Sequence, residues 1–287
     1  MLTLLFDGIA YGMLLFVLAV GLAVTLGLMN FINLAHGAFA MAGGYITVLA
    51  MNRLGVPFLA CLPLAFLGAA LIGALLEPLL YRRMYAKPHL DQVLFSIGLV
   101  FIAVTAVDYV VGSMQQNITL PAWLQGRFDI SWIGIGKYRL FIVVVCALLT
   151  LALQAVLTRT RFGAQLRAAV DDPRVAGGLG LNENRIFLLT FAVGSGLAGL
   201  GGALGAEVLG LDPTFPLKFM IYFLIVCSVG GTTTITGPLL AALLLGIADV
   251  AGKYYIPKLG AFIVYSLMIV ILMIRPQGLF ARAGASK

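Results

Sequence analysis

Leu4-Leu5-Phe6-Asp7-Gly8-Ile9-Ala10-Tyr11-Gly12-Met13-Leu14-Leu15-Phe16-Val17-Leu18-Ala19-Val20-Gly21-Leu22-Ala23-Val24-Thr25-Leu26-Gly27-Leu28 carries one charged side chain, Asp7, near its start. About 20 apolar residues wound as a helix cross the roughly 30 Å hydrocarbon core of a bilayer. This stretch is long enough, and it is not alone. Pro57–Leu80, Val93–Gly112, Leu140–Leu157, Ile186–Ala206 and Leu259–Ile274 read the same way. Gly37–Met51 is short for a span. Lys218–Asp249 is too long for one and is interrupted by Gly230-Gly231-Thr232-Thr233-Thr234-Ile235-Thr236-Gly237-Pro238. Read as two helices, it brings the total to about nine crossings. The expected fold is an all-α, polytopic transmembrane helical bundle of about 8–9 spans with two interrupted segments, forming a single domain over residues 1–287.

Composition agrees. Of 287 residues, 62% are hydrophobic and only 10% charged, against about 25% charged in soluble domains. Such a chain cannot cover its own surface with polar groups in water. The net charge of +7 invites a nucleic-acid reading. The basic residues, however, collect in short gaps between apolar runs, as orientation signals do, rather than along one stripe.

Arg82, Arg83 and Lys87 fall in one gap, Arg159, Arg161, Arg167, Arg174 and Arg185 in another, and Arg275, Arg282 and Lys287 in the tail. These eleven of the eighteen basic residues share one side if the crossings alternate. The positive-inside rule makes that side the cytoplasm, with the C-terminus inside and the N-terminus outside. No Lys or Arg precedes Arg53, so the first apolar segment lacks the basic flank of a signal peptide and is expected to stay on the mature protein. Cys61, Cys146 and Cys227 each sit in an apolar run without metal-ligand spacing, and read as packing residues.

Two breaks stand out. Met29-Asn30-Phe31-Ile32-Asn33-Leu34-Ala35-His36-Gly37 follows the first span, and Gly230–Pro238 splits the later one. Backbone left unpaired at membrane depth costs several kcal/mol, so such breaks survive only where protein or a water-lined cavity covers them. Two readings stand for each: part of the translocation path or a gate, or a tight cytoplasmic turn. The residues concerned are Asn30, Asn33, His36, Gly37, Gly230, Gly231, Thr232, Thr236 and Gly237. His36 beside Asn33 reads as a hydrogen-bonded structural residue before it reads as a proton carrier. Gly194, Ala198, Gly202 and Ala206 recur at four-residue spacing, a packing face for another helix in this chain or in a partner. The loop Ser113–Lys137, with Trp123, Phe128 and Trp132, is either a surface-lying amphipathic segment or an ordered cap.

Thr158–Arg185 is the longest polar stretch and reads as two short helices. Phe162, Leu166 and Val170 give the first an apolar edge. Asp172 suits an N-cap, Pro173 the first helical position and Gly180 a stop. Val175 and Leu179 form the apolar pair of the second helix. Such an element buries that edge either on its own bundle or in a groove of a soluble partner.

No constellation for catalysis appears: there is no H-E-x-x-H, no G-x-S-x-G and no phosphate-binding G-x-x-x-x-G-K-[ST]. If ATP drives this chain, another chain must bind it. Intramembrane acids are functional candidates by default, but Glu77 is close enough to Arg82 or Arg83 to pair locally.

Four motifs together resemble the LivH-type permease of branched-chain amino acid ABC importers. They are Asn30–Gly37; Arg167-Ala168 with Ala176-Gly177-Gly178-Leu179-Gly180-Leu181; Gly230-Gly231 with Thr236-Gly237-Pro238; and Arg275-Pro276-Gln277-Gly278-Leu279-Phe280. The resemblance runs from about Leu4 to Arg282, with one departure, Thr233 where a third glycine is usual. It implies a bacterial inner-membrane importer containing a second, LivM-type permease, two cytoplasmic ATPases and a periplasmic solute-binding protein. In that picture Arg167, Asp172, Pro173, Val175, Ala176, Leu179 and Gly180 couple this chain to an ATPase. The same resemblance covers importers of branched-chain and other amino acids, of urea or short amides, and of aromatic carboxylates. A stand-alone secondary transporter is the reading from another class.

Overall fold

The computed structural model describes every residue except 30, 131, 132, 172, 232, 233, 276, 277 and 280–287. Its helices are α1 (Leu2–Met29), α2 (His36–Leu54), α3 (Phe58–Leu79), α4 (His89–Val111), α5 (Lys137–Arg159), α6 (Arg161–Asp171), α7 (Pro173–Gly178), α8 (Glu183–Leu209), α9 (Phe215–Gly230), α10 (Thr236–Tyr255) and α11 (Gly260–Ile274). Six of them, α1, α3, α4, α5, α8 and α10, are long and apolar enough to cross a membrane. The apolar helices α9 and α11 are shorter. The sequence from Lys218 to Asp249 is two helices, parted at residues 231–235.

The outer helices reverse the pattern of a water-soluble protein. Helix α4 buries only Gln92, Ser96 and Val100, and α5 only Tyr138, Ile142, Cys146 and Thr150. Four-residue spacing is one stripe of a helix. Large apolar side chains around those stripes are exposed: Leu90, Leu94, Phe101 and Ile102 on α4, and Val144, Leu148 and Leu151 on α5. A face of that kind is stable against lipid tails or another apolar protein, and not against water.

Helices α1 and α8 are the opposite case, buried almost all round. What lets them sit so close is the small-residue face of α8. A Cβ on Gly202 would drive into the Ala40 carbonyl of α2, and one on Gly194 would touch Gly21 of α1 at 3.3 Å. The partner of that face therefore lies within the chain. Helix α10 runs antiparallel to α1, with Ile247 against Gly8 and Leu243 against Gly12.

The bundle is all-α as expected, and the loop between α4 and α5 adds a short ribbon that the sequence reading did not include. Arg127–Ile130 (β1) and Ile133–Gly136 (β2) pair as an antiparallel ribbon with Arg127 opposite Gly136. A short 3-10 turn at Ala122–Leu124 precedes it, and Trp123 lies edge-on to Phe141 at 6.0 Å. Pairing meets the backbone hydrogen-bond demand of a segment too short and too glycine-rich for a helix. Trp132 lies outside the described residues.

Candidate translocation path and coupling surface

The first break is more than a tight turn between the end of α1 and the start of α2. Helix α2 begins at His36, whose Nε2–H donates to the Leu18 carbonyl at 3.0 Å. Leu18 is eleven residues short of Met29, roughly 16 Å back along α1 at 1.5 Å per residue. Residues 31–35 therefore climb back alongside the helix just left, and Phe31, Asn33, Leu34 and Ala35 are all buried.

Side chains satisfy that buried, non-helical backbone. Gln92 Oε1 accepts from the Ile32 N–H at 3.2 Å, while its amide nitrogen donates to the Lys87 carbonyl at 3.0 Å. Asn33 Oδ1 accepts from the Ala35 N–H at 3.1 Å and from the Tyr81 hydroxyl at 3.3 Å. Phe31 meets Tyr81 and Tyr85 edge-on at 5.6 and 5.5 Å. The turn between α3 and α4 is thus the scaffold of the break.

That turn is held by an ion pair. Glu77, buried in α3, takes Arg82 Nη2 at 2.7 Å and Nε at 3.3 Å, and the Tyr85 hydroxyl at 3.2 Å. Of the two arginines within reach in the sequence, Arg82 makes the contact. Its hydrogen bond to Glu77 raises the guanidinium pKa above the ordinary value.

The second break reaches the same section of α1. Cys227, near the end of α9, lies with Sγ 3.9 Å from the Ala19 carbonyl. Since Leu243 of α10 packs on Gly12, the α10 start at Thr236 falls about opposite Leu18–Ala19. The Thr234 hydroxyl accepts from the Gly237 N–H at 3.3 Å, and the Leu279 N–H closes the end of α9 on the Val229 carbonyl at 2.8 Å. Gly230, Gly231 and Gly237 are buried and Thr236 is exposed. Direct contact joins α2 to α9: the His36 ring meets Phe223 at 6.3 Å, and Gly37 packs on Pro216. Asn30 and Thr232 lie outside the described residues.

At one end of the bundle α6 and α7 form a hairpin with its own small core. Leu166, Ala169, Ala176 and Ile186 are buried together, with Leu157, Phe162, Leu181 and Phe187 around them. Arg167 donates to the Leu157 carbonyl, which ties α6 to the end of α5. Gly180 has φ +82°, a conformation open to glycine, and there the Leu181 N–H reaches the Ala176 carbonyl at 3.1 Å. Asn182 caps α8 by accepting the Arg185 N–H at 3.1 Å. Among the residues expected to meet an ATPase, Ala176 is buried against the chain itself, and Arg167 is exposed but tethered by its bond to Leu157. Val175 and Leu179 face away, 58% and 76% exposed. Asp172, and the side chains of Val170 and Pro173, lie outside the described residues.

Among the described residues no group of His, Cys, Asp and Glu is arranged to hold a metal ion. The three cysteines are free and buried.

A family model described as the permease component of a branched-chain amino acid transport system matches residues 4–272. The high-affinity branched-chain amino acid transport permease BraD of Pseudomonas aeruginosa is 28% identical, covering 99% of this chain and 96% of that protein. LivH of Escherichia coli is 27% identical over the same shares, 99% and 96%. LivM of Escherichia coli is 28% identical over 93% of this chain and 68% of its own length. No solved structure matches the chain. Nine-tenths of the sequence, both breaks and the hairpin among it, lie within the match, and the chain belongs to the permease-component family of branched-chain amino acid transport systems.

Proposed function

We propose that the chain is one of two permease subunits of an ATP-driven importer of branched-chain amino acids in a bacterial cytoplasmic membrane. A LivM-type permease would be its mate. Two cytoplasmic ATPases would hold the ATP and Mg, and a periplasmic protein would deliver the solute. Likeness to both LivH and LivM supports a paired arrangement. The observation that carries the reading is the hairpin: it is packed as a unit on the ends of α5 and α8, yet it holds Leu179 out at 76% exposure.

In this reading α1, α2, α3, α4, α5, α8, α9, α10 and α11 make nine crossings, with the N-terminus outside and the hairpin and C-terminus inside. The isolated bridge between Gln116 and Leu211, and the packing of Gly8 on Ile247, support placing the other chain ends and loops together at the far face. Closure of the ATPases on nucleotide would push the hairpin. Ile186 and Phe187 would pass that push to α8, and α8 bears directly on α1 and α2 beside the breaks. The breaks would then open and close the path, because Gln92, Asn33 and Thr234 supply hydrogen bonds there from side chains that can exchange partners, where a helix ladder could not.

The test is uptake of labelled leucine into proteoliposomes. The complete assembly with ATP inside should accumulate it, and this chain alone should not. Accumulation by the chain alone, without ATP, would contradict the reading.

A further inference from the structure

A cavity of about 380 Å³ opens at the end of the bundle opposite the hairpin, between α1, α5, α8, α9 and α10. Five charged side chains line it: Asp7, Arg139, Lys218, Asp249 and Lys253. Arg139 pairs with Asp7, Lys253 with Asp249 at 2.5 Å, and Lys218 with Asp212 just outside the cavity. Three carboxylates against three cations leave the site without net charge.

The arrangement is layered. The Arg139, Lys218 and Lys253 side chains are about half exposed at the rim, whereas Asp249 is 1% exposed at the floor. Lys253 engages Oδ2 of Asp249 and the Tyr222 hydroxyl lies against the same carboxylate, while Oδ1 of Asp249 and Oδ1 of Asp7 are buried with no donor in hydrogen-bonding geometry among the described residues. A carboxylate oxygen held out of water without a well-placed donor is unfavourable, so two in one cavity need a cause. Leu14, Ile142 and Phe219 supply an apolar wall beside them.

We propose that this cavity is a binding site for a free zwitterionic α-amino acid within the permease subunit. The ammonium donates to the open oxygens of Asp7 and Asp249. The carboxylate meets Arg139 and Lys218 at the rim, and an aliphatic side chain lies on Leu14, Ile142 and Phe219. A neutral set of fixed charges selects a neutral but polar solute: an anion or a cation would enter with an uncompensated charge, whereas a zwitterion cancels both halves. The volume holds one such molecule. The proposal rests on the importer reading, in which this end faces the side from which solute arrives.

The test uses the assembled complex of both permeases and both ATPases in nanodiscs, without the solute-binding protein, and equilibrium dialysis of radiolabelled L-leucine. Two variants are made. Asp249→Asn removes the floor charge. Val208→Trp narrows the mouth at a residue 39% exposed and leaves every charge in place. Both are checked for co-purification of all subunits. Saturable binding to the wild type is expected, more than tenfold weaker in both variants. Valine should displace leucine, and neither 4-methylpentanoate, which lacks the ammonium, nor 3-methylbutylamine, which lacks the carboxylate, should do so. Absence of saturable binding to the wild type, unchanged affinity in the correctly assembled variants, or displacement by either half-charged analogue would overturn the proposal. Leucine uptake by the wild-type complex is measured in parallel with the binding protein restored. Loss of that uptake speaks against the importer reading, whereas uptake with a negative binding result speaks against the cavity alone.

Discussion

Replacing Arg82 with Met, which keeps the aliphatic stem and removes the charge, strips Glu77 of two of its three hydrogen bonds, at 2.7 and 3.3 Å. Glu77 is 0% exposed, and only the Tyr85 hydroxyl remains, at 3.2 Å. Breaking a fully buried ion pair from one side costs about 3–5 kcal/mol, because the surviving charge stays out of water. Arg82 itself is 36% exposed, so water reaches the abandoned carboxylate in part, and the expected cost falls to about 2 kcal/mol. The double variant Glu77→Gln with Arg82→Met leaves no charge behind and should lose less than Arg82→Met alone. The assay is unfolding of the purified chain by SDS in mixed micelles, followed by tryptophan fluorescence, for the wild type, both single variants and the double. A loss below about 0.5 kcal/mol in Arg82→Met, or single losses that simply add in the double variant, would refute the reasoning. The carbonyls of the same turn, at Met84 and Lys87, hold Gln92 of α4, so the single variant should also lower uptake by freeing the Ile32 backbone.

Gly202→Leu should separate α2 from α8 and abolish assembly, whereas Gly98→Ala, where an added methyl meets nothing within 4 Å, should be neutral or stabilise by about 0.5–1 kcal/mol; thermal stability by size-exclusion reads both. Burial raises the pKa of Asp212, but hydrogen bonds from Lys218 and Thr214 outweigh it and hold the carboxyl below its ordinary value. A depressed folded-state pKa stabilises above the unfolded value of about 3.9 and is lost as pH falls through the lower folded one. Stability should therefore lose this contribution only in that acid window, and Asp212→Asn should remove that part of the acid dependence; an unchanged acid profile in the variant would count against it.

Much of the bundle was legible in the sequence because a membrane span is long and its apolar content is not hidden by periodicity. The split of Lys218–Asp249 into α9 and α10 was legible from its glycines and threonines. The depth of the breaks was not. It depends on which part of α1 His36 and Thr236 meet, and that contact is set by glycine packing between helices far apart in the chain. Gln92 escaped notice for the same reason, since it serves Ile32 sixty residues away. The sequence left open whether the small face of α8 met this chain or a partner; fit to Ala40 and Gly21 decides it. In the hairpin, a six-residue helix is too short for periodicity to tell the inward Ala176 from the outward Leu179. The ribbon β1–β2 was missed because its alternation spans only four residues a side.

An ATPase gripping the exposed side of the α6–α7 hairpin is the central step of the proposed mechanism. Leu179→Cys, in the complete complex with single cysteines placed across the ATPase surface, measures this through disulfide cross-linking with and without nucleotide. A cross-link to an ATPase subunit whose yield changes with ATP is the predicted result. No cross-link at any position, together with normal ATPase co-purification by a Val175→Asp, Leu179→Asp variant, would contradict it.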